Sequence, residues 1–310
     1  MEDIICYYNG DYVKESEVKL SLMDVGLRHG YGVFDFSRAY NHVPFFWEEH
    51  IERLYRSLHY VYIDPRLTPE EMLNISYEVF NRNEKVIAPE DDYGMLQLIT
   101  AGAPAFHAPP TQPTVLVRCM SLLPLYEWEA MAYQEGIPLL LVPRRQVPPE
   151  CWDVRVKSVS RIYYDLAKHE VSLIDPKAWP LLLDMQGHVA ETHTSNVLIV
   201  KNNTIFTPRS NNILVSVARN VILKLAKEEG IECVETDLYP YDLENADEIF
   251  LTHTSTTIIP VNKFNHRATP KPVPGAITQQ LLSAFSKLVG FDIVKRVVDY
   301  VQAKEGSNNL

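Results

Sequence analysis

The spacing of apolar residues predicts two helices and two strands in the first 120 residues. An amphipathic helix is expected over 48–61, where apolar side chains recur at intervals of three and four. These are Ile51, Leu54, Tyr55, Leu58 and Val61, with Arg53 and Arg56 off the stripe. A second helix is expected over 70–83, and strands over 94–100 and 114–119. The proline-rich stretch between those strands predicts an irregular loop.

The rest of the chain alternates between strand-like and helix-like patterns. Strands are predicted over 137–142, 153–157, 231–236 and 248–252, and a hairpin with a glycine turn over 181–200. Helices are predicted over 158–168, 220–230 and 276–289. This mixed order favours α+β domains over a doubly wound Rossmann sheet.

A chain of 310 residues is long enough to bury two cores. We therefore predict a small N-terminal α/β domain over 1–119, an interdomain connection over 120–136 and a larger C-terminal α/β domain over 137–310.

The composition is ordinary for a soluble protein, with 46% hydrophobic and 22% charged residues. A net charge of −11 argues against nucleic acid or an anionic membrane as a partner. No apolar run reaches the ~20 residues of a transmembrane helix. The first residues are acidic, unlike a signal peptide, and the four cysteines are far apart, without a C-x-x-C pair. These features predict a cytoplasmic protein with reduced thiols.

One string of metal-ligating residue types occurs. His188, Glu191 and His193 form H-x-x-E-x-H, whose spacing fits neither H-E-x-x-H nor a zinc finger. No metal site is predicted.

Lys157 lies where an alternating pattern gives way to a helical one. The positive end of a helix disfavours an ammonium group, and the free amine is the form that attacks a carbonyl to make a Schiff base. The alternative interpretation is a surface lysine at a strand end.

Glu191 follows Val189 and Ala190, so its carboxylate enters an apolar context. A buried carboxylate must be paired or hydrogen-bonded. Lysine and a carboxylate are the two groups that a pyridoxal phosphate enzyme needs: one carries the aldehyde and the other keeps the ring nitrogen protonated. The alternative for Glu191 is an ordinary surface acid at a strand end.

Several motifs in this order resemble the fold-type IV pyridoxal phosphate enzymes. That group includes branched-chain and D-amino-acid aminotransferases, (R)-selective amine transaminases and aminodeoxychorismate lyases. The matching segments are Asn9-Gly10, Asp24–Asp35, Glu48–Leu54, Leu181–Asn196 and Ala246–Thr254, followed by Ile259–Val261. The resemblance covers nearly the whole chain, from about Tyr8 to Phe285, and implies the two-domain fold-type IV architecture.

The resemblance also implies a set of site residues. Lys157 would carry the cofactor, and Glu191 would pair with its ring nitrogen. The phosphate would be held by Arg53, Ser216, Val217, Ala218 and Thr254. Ser216 and Ala218 replace the family's glycine and threonine, so a hydroxyl contact is lost while the backbone donors remain. Substrate contacts are expected from Phe34, Phe36, Tyr93, His107, Arg28 and Ser255.

The expected activity is transfer of an amino group from a branched-chain-like or D-amino acid to a 2-oxo acid, by a homodimer in which residues near Arg28–Tyr31 lie close to the partner's site. The arginines that the family uses for substrates are absent after Tyr93 and before His107. Phe36 stands in place of a glycine and should narrow the pocket. The alternatives are aminodeoxychorismate lyase, (R)-selective amine transaminase and a cofactor-binding protein without turnover.

Overall fold

The computed structural model describes residues 3–105, 108 and 112–308, and the chain divides into two compact units. Unit 1 is Met1–Leu123 with Val156–Arg161, and unit 2 is Pro124–Arg155 with Ile162–Leu310. The predicted domain limits stay a prediction. The compact units differ from them by placing the short segment around Lys157 in unit 1.

Unit 1 is an antiparallel sheet with helices on one face. Its elements are β1 (Ile5–Tyr8), β2 (Asp11–Lys14), α1 (Val25–His29), β3 (Gly32–Tyr40), β4 (Val43–Pro44), α2 (Trp47–Tyr60), α3 (Pro69–Asn83), β5 (Gly94–Thr100) and β6 (Thr114–Met120). The strand order is β2-β1-β6-β5-β3-β4. The predicted helices and strands of this half are therefore confirmed.

Alternation along the strands decides which face of this sheet is covered. Odd-numbered residues such as Val33, Met95 and Ile99 are fully buried on the side where α2 and α3 pack. Even-numbered residues of β5 and β6 are less buried, with Leu96, Leu98 and Leu116 intermediate. The opposite face of the sheet is thus only partly covered.

The helix α3 begins as its sequence predicts. Thr68 accepts a hydrogen bond from the Glu71 amide, the Glu71 side chain accepts one from the Thr68 amide, and Pro69 fills the first helical position. This capping box fixes the start of the helix without help from tertiary contacts.

Unit 2 is built on one mixed sheet. Its elements are α4 (Tyr126–Glu135), β7 (Ile137–Arg145), α5 (Ile162–Ser172), β8 (Trp179–Leu183), β9 (Val189–Thr192), β10 (Asn196–Lys201), β11 (Thr204–Pro208), α6 (Val217–Glu228), β12 (Cys233–Thr236), α7 (Pro240–Glu244), β13 (Glu248–His253), β14 (Thr257–Phe264), β15 (Arg267–Ala268), α8 (Ala276–Val289) and α9 (Ile293–Asn308). The order is β12-β11-β10-β13-β14-β7-β8-β9, with β15 on β14.

This sheet closes on itself, because β9 pairs with β10 through Glu191 and Asn196. Most neighbours are antiparallel, but β7 runs parallel to β8 and β14, and β11 runs parallel to β12. The interior contains Leu139, Leu181 and Leu251, all fully buried. Helix α5 packs on the outside of β7 and β8.

Three predicted elements of this half differ from the structure in detail, and the predicted connection over 120–136 contains a helix. Residues 153–157 form turns instead of a strand, and the helix predicted from 158 begins at Ile162. Part of the predicted connection over 120–136 is the packed helix α4, in which Tyr126 and Glu129 are fully buried. The helix predicted over 220–230 begins earlier, at Val217.

Among the described residues, no helix is both long and apolar enough to cross a membrane. The four cysteines form no disulfide. Burial raises the pKa of the Cys6 thiol to about 11 and the pKa of the Cys119 thiol to about 12.

Candidate active site

Backbone hydrogen bonds hold Lys157 along the edge of strand β3 that does not pair with β5, within unit 1. Its carbonyl accepts a hydrogen bond from the Phe34 amide at 3.0 Å, and its amide donates to Ser57 Oγ at 3.2 Å. The next residues continue the pairing, since Val159 donates to the Gly32 carbonyl at 3.1 Å. The Lys157 Nζ lies 4.8 Å from the centre of the Phe34 ring. The backbone on both sides of the amine is therefore fixed.

This pairing explains why no helix starts at Ser158. A residue whose backbone bridges to a strand has extended geometry and cannot make helical hydrogen bonds at the same time. Lys157 therefore lies five residues before α5, outside its first turn. The helix-terminus argument for its neutral amine does not apply.

Arg53 is predicted off the apolar stripe of its helix, yet it is only 3% exposed. Asp35 on β3 lies beneath α2 and takes the guanidinium in a bidentate pair, with Nε–Oδ2 at 2.8 Å and Nη2–Oδ1 at 2.7 Å. His50 Nδ1 lies 2.7 Å from the same Oδ1. The spacing of apolar residues did not reveal that Arg53 is buried, because the carboxylate that neutralises its charge comes from strand β3 and not from the helix itself.

The charges in this cluster follow from burial and pairing. Burial alone would raise the pKa of Asp35, but the Arg53 guanidinium and the His50 contact outweigh it and hold the pKa well below its ordinary value. Burial lowers the pKa of His50 against the pull of Asp35, which favours the neutral ring. Asp35 is therefore an ionised, fully enclosed carboxylate.

Glu191 in unit 2 is 4% exposed and is held by four donors. Its Oε1 accepts from Gln146 Nε2 at 2.8 Å and from the Tyr164 hydroxyl at 2.5 Å. Its Oε2 accepts from Asn196 Nδ2 at 3.2 Å and from the Leu214 amide at 3.1 Å. The prediction that this carboxylate is buried and hydrogen-bonded is confirmed.

Two of these donors have their own supports. Burial, and then the charge of Glu191, raises the pKa of Tyr164 far above its ordinary value, so the phenol stays protonated and donates. Asn196 Nδ2 also donates to the Leu214 carbonyl at 3.0 Å, and Asn196 faces Thr252 of β13 in the sheet. The Asn196 side chain thus connects Glu191 with the loop before α6, and its backbone pairs with the end of β13.

Buried polar atoms without partners occur on two residues that donate to Glu191 and on two neighbours of Asn196. Among the described residues, Gln146 Oε1, Ser195 Oγ, Asn196 Oδ1 and Thr252 Oγ1 make no hydrogen bond. Buried polar groups are normally satisfied. Unpaired acceptors and hydroxyls beside an anchored carboxylate are what a polar ligand would satisfy.

The start of α6 is a candidate phosphate site. Ser216 is the N-cap and its hydroxyl accepts from the Arg219 amide at 3.2 Å. The amides of Val217 and Ala218 occupy the first turn, where the helix supplies no acceptor. The sequence pattern places these residues before the helix, and their position inside its first turn is the geometry that binds anions.

Thr254 and Ser255 lie in the turn between β13 and β14. The turn is anchored to α4, because Tyr133 donates to the Thr256 carbonyl and the Thr256 hydroxyl donates to Glu129 Oε1. Thr254 is partly exposed and Ser255 is buried.

The remaining predicted residues lie in unit 1. Phe34 and Phe36 are half-buried on the partly covered face, and Arg28 is exposed on α1. Tyr93 is fully buried and stacks on Phe80, with ring centres 4.4 Å apart. Because that ring is enclosed by the core, we leave Tyr93 out of the proposed substrate contacts. His107 lies outside the described residues.

Gln146, Tyr164 and Asn196 are not among the predicted site residues. Asn196 has a signal in the sequence, as the last residue of the strand-turn-strand motif that contains Glu191. Gln146 and Tyr164 have none, since a glutamine after a strand and a tyrosine on a helix are common. Only folding brings them to one carboxylate.

The donor set fits pyridoxal phosphate. The cofactor needs an anion at its ring nitrogen, backbone donors and hydroxyls for its phosphate, and a lysine amine for its aldehyde. Unit 2 offers Glu191, the start of α6 and the Thr254 turn, with unpaired buried hydroxyls nearby. Unit 1 offers Lys157.

The class IV amino-transferase family model matches residues 32–264, and the chain belongs to this family. A provisional branched-chain-amino-acid aminotransferase of Methanocaldococcus jannaschii is 36% identical over 91% of this chain and 95% of its own. D-alanine aminotransferase of Bacillus licheniformis is 28% identical over 94% and 99%. Aminodeoxychorismate lyase of Bacillus subtilis (strain 168) is 33% identical over 83% and 85%.

Solved structures share the fold. The branched-chain aminotransferase of the thermophilic archaeon Thermoproteus uzoniensis matches with a TM-score of 0.83 at 24% identity, over 95% of this chain and 97% of that one. Another branched-chain enzyme, in complex with N-(5'-phosphopyridoxyl)-L-glutamate, matches with a TM-score of 0.82. Class IV aminotransferases depend on pyridoxal phosphate. The predicted family, fold class, enzyme class and cofactor are confirmed.

Replacing Asp35 by Asn should destabilise the protein by about 3–5 kcal/mol near neutral pH, because it leaves the Arg53 charge buried without its partner. Urea unfolding measures this change. Glu52→Gln is the control, since Glu52 lies on α2 beside Arg53 but in an exposed pair with Arg56.

The same pair of proteins gives a pH test. The folded-state pKa of Asp35 is lowered, so its stabilisation is complete above the ordinary value of 3.8 and is lost as the pH falls through the folded-state pKa. The stability gap between wild type and Asp35→Asn should shrink on acidification below about pH 4. A gap that is constant or widens would contradict the assignment.

Replacing Glu191 by Gln should lower the free energy of unfolding of cofactor-free protein by about 1–3 kcal/mol, because an amide NH₂ would face donors and leave one unsatisfied. Urea unfolding of the apoprotein measures the change. Glu228→Gln, an exposed position on α6, is the matched control and should have little effect. Equal stability of both variants would mean that the four donors do not hold the carboxylate.

Proposed function

We propose that the protein transfers the amino group of an amino acid to a 2-oxo acid, with pyridoxal phosphate held by the residues described above. The observation that carries this proposal is the buried Glu191 carboxylate, fixed by four donors among unpaired polar atoms. A purely structural acid would need these donors, but it would not explain why Gln146 Oε1 and Asn196 Oδ1, on two of the donor residues, lack hydrogen bonds.

Lys157 and Glu191 would carry the chemistry. The bound cofactor supplies an electron sink for the bonds at the amino acid's Cα. Lys157 would hold the cofactor's aldehyde, and its amine would then move the proton at the substrate Cα. Glu191 would keep a proton at the ring nitrogen, and its four donors would keep it in place while charge changes beside it.

The phosphate would be held by the Val217 and Ala218 amides and by the Thr254 hydroxyl, with Ser216 ordering that turn through its cap. Helix N-termini favour anions because their amides lack acceptors. We also assign Arg53 to the phosphate, where a guanidinium suits a dianion. Asp35 and His50 would then set the orientation of Arg53.

The substrate would contact Phe34 and Phe36, with Ser255, His107 and Arg28 as further contacts. A branched-chain-like or D-amino acid as the donor is supported by the names of the relatives. Strand β5 carries no arginine, and its half-buried side chains on the partly covered face, Leu96 and Leu98, are apolar.

We further propose a homodimer with the region around Arg28–Tyr31 near the partner's site. The support is an exposed apolar run before Arg28, in which Leu22 is 81% and Leu27 58% exposed. Contiguous exposed apolar side chains mark interaction surfaces. A cytoplasmic location stays a prediction.

Aminodeoxychorismate lyase is the second candidate, because a lyase of that name is among the relatives at 33% identity. The proposed roles of Lys157 and Glu191 serve either reaction. An (R)-selective amine transaminase remains the third alternative and differs only in the donor.

Borohydride reduction of the cofactor-loaded protein should fix a pyridoxyl group on Lys157, because its backbone is held beside Phe34 with the amine over the ring. Peptide mapping by mass spectrometry measures the site. Lys168 and Lys177, both exposed, serve as internal controls. Label on either of these in place of Lys157 would overturn the assignment.

Amino donor alone should convert the bound cofactor once, to its amine form, and stop. Adding a 2-oxo acid such as 2-oxoglutarate or pyruvate should restore the aldehyde form and allow many turnovers. Absorbance spectra and product analysis measure both steps. Repeated pyruvate release from aminodeoxychorismate without an acceptor, and no transfer from any amino acid, would establish the lyase instead.

A further inference from the structure

The partly covered face of unit 1 carries a steric pair formed by Phe36 and Gly94. The structure places the Phe36 ring directly over Gly94 of β5. A Cβ built at position 94 would lie 2.1 Å from Phe36 Cζ and 2.4 Å from Cε2. The ring can occupy this space only because residue 94 has no side chain.

The two residues belong to the same face by register. Phe36 pairs with Leu96 and Arg38 pairs with Gly94, so Phe36 and Gly94 are diagonal neighbours on adjacent strands. Arg38 is buried and ion-paired with Asp92 at 3.2 Å. The ring is therefore the last apolar group of β3 before this buried ion pair.

The position of Lys157 gives the approximate distance between the Phe36–Gly94 pair and the proposed reacting centre. Its Nζ lies 4.8 Å from the centre of the Phe34 ring. Phe36 is two residues further along the same face, about 7 Å from Phe34 at the usual rise of a strand. A side chain extending along this face from a substrate held at Lys157 would meet the Phe36 ring after a few carbon atoms.

We propose that the Phe36–Gly94 pair sets the length of substrate side chain that the enzyme accepts. This inference rests on the proposed function. Phe36 is the group that limits the length, and the lack of a side chain at Gly94 leaves the space over β5 that its ring occupies. The substrate class is amino acids with short apolar side chains, and longer ones meet the ring.

The backbone allows the pair to be exchanged between strands. Gly94 lies in an extended strand and is absent from the positive-φ glycines, so a side chain there strains no dihedral angle. A phenylalanine at 94 clashes with Phe36 but fits when residue 36 is small. Substitution of Phe36 by alanine thus removes the ring from β3, and substitution of Gly94 by phenylalanine places a ring in the same space from β5.

The experiment measures transfer from a series of unbranched donors of increasing length, alanine, 2-aminobutyrate, norvaline and norleucine, each as both enantiomers. Four proteins are compared: wild type, Phe36→Ala, Phe36→Ala/Gly94→Phe and Leu116→Ala. Wild-type kcat/KM should fall by about tenfold or more at the methylene that reaches the ring. Phe36→Ala should move that fall to a longer donor, and the double variant should move it back.

Leu116→Ala is the control, because Leu116 is half-buried on the same face but lies two strands away from β3. It should keep the wild-type profile. An active Phe36→Ala enzyme with the wild-type profile overturns the inference and leaves the proposed function standing. If the wild type transfers no amino group from any donor to any acceptor, both the inference and the proposed function are overturned.

A second measurement needs no cofactor. Thermal unfolding of the apoproteins should show that Phe36→Ala and Gly94→Phe each lower Tm, and that the double variant is more stable than the sum of the two losses predicts. Additive losses would show that the two positions do not share one space and would overturn the pairing.

Discussion

The architecture of unit 2 depends on the burial of one carboxylate. An ionised acid enclosed in protein costs several kcal/mol unless donors replace its water. Glu191 meets this requirement with donors that come from four places in the chain: the end of β7, helix α5, strand β10 and the loop before α6. Each of these segments has to keep its position for its donor to reach the same two oxygens.

Unit 1 stabilises its buried carboxylate in a different way. Asp35 is fully enclosed, but its partner is a guanidinium that takes both oxygens, with His50 as a third contact. One charge neutralises the other, so the pair depends on α2 lying against β3. Breaking either partner would leave a lone buried charge, which is costlier than the pair itself. The two buried acids are therefore anchored differently, Glu191 in unit 2 by neutral donors and Asp35 in unit 1 by a cation.

The contrast between Phe36 and Tyr93 shows how much the sheet face decides. Both are aromatic residues near strands of unit 1, and the family resemblance implies a substrate contact for both. Alternation sends Tyr93 into the core against Phe80, whereas Phe36 lies on the partly covered face above Gly94. A shift of one residue in a strand moves a side chain from the partly covered face into the core.

The sequence by itself determined the parts of the protein that local physics specifies. The capping box at Thr68 sets the start of α3, the periodic apolar residues define α2, and the glycine turn defines the hairpin that buries Glu191. The ordered motifs identified the family and predicted the roles of Lys157 and Glu191. Tertiary structure alone decided that Arg53 is buried, since its counter-charge comes from β3. It also decided that Ser158 starts no helix, because its neighbours bond to β3, and that Gln146 and Tyr164 meet Glu191. These contacts join residues far apart in the chain, and the local pattern of apolar and polar residues carries no information about a partner that only folding brings close.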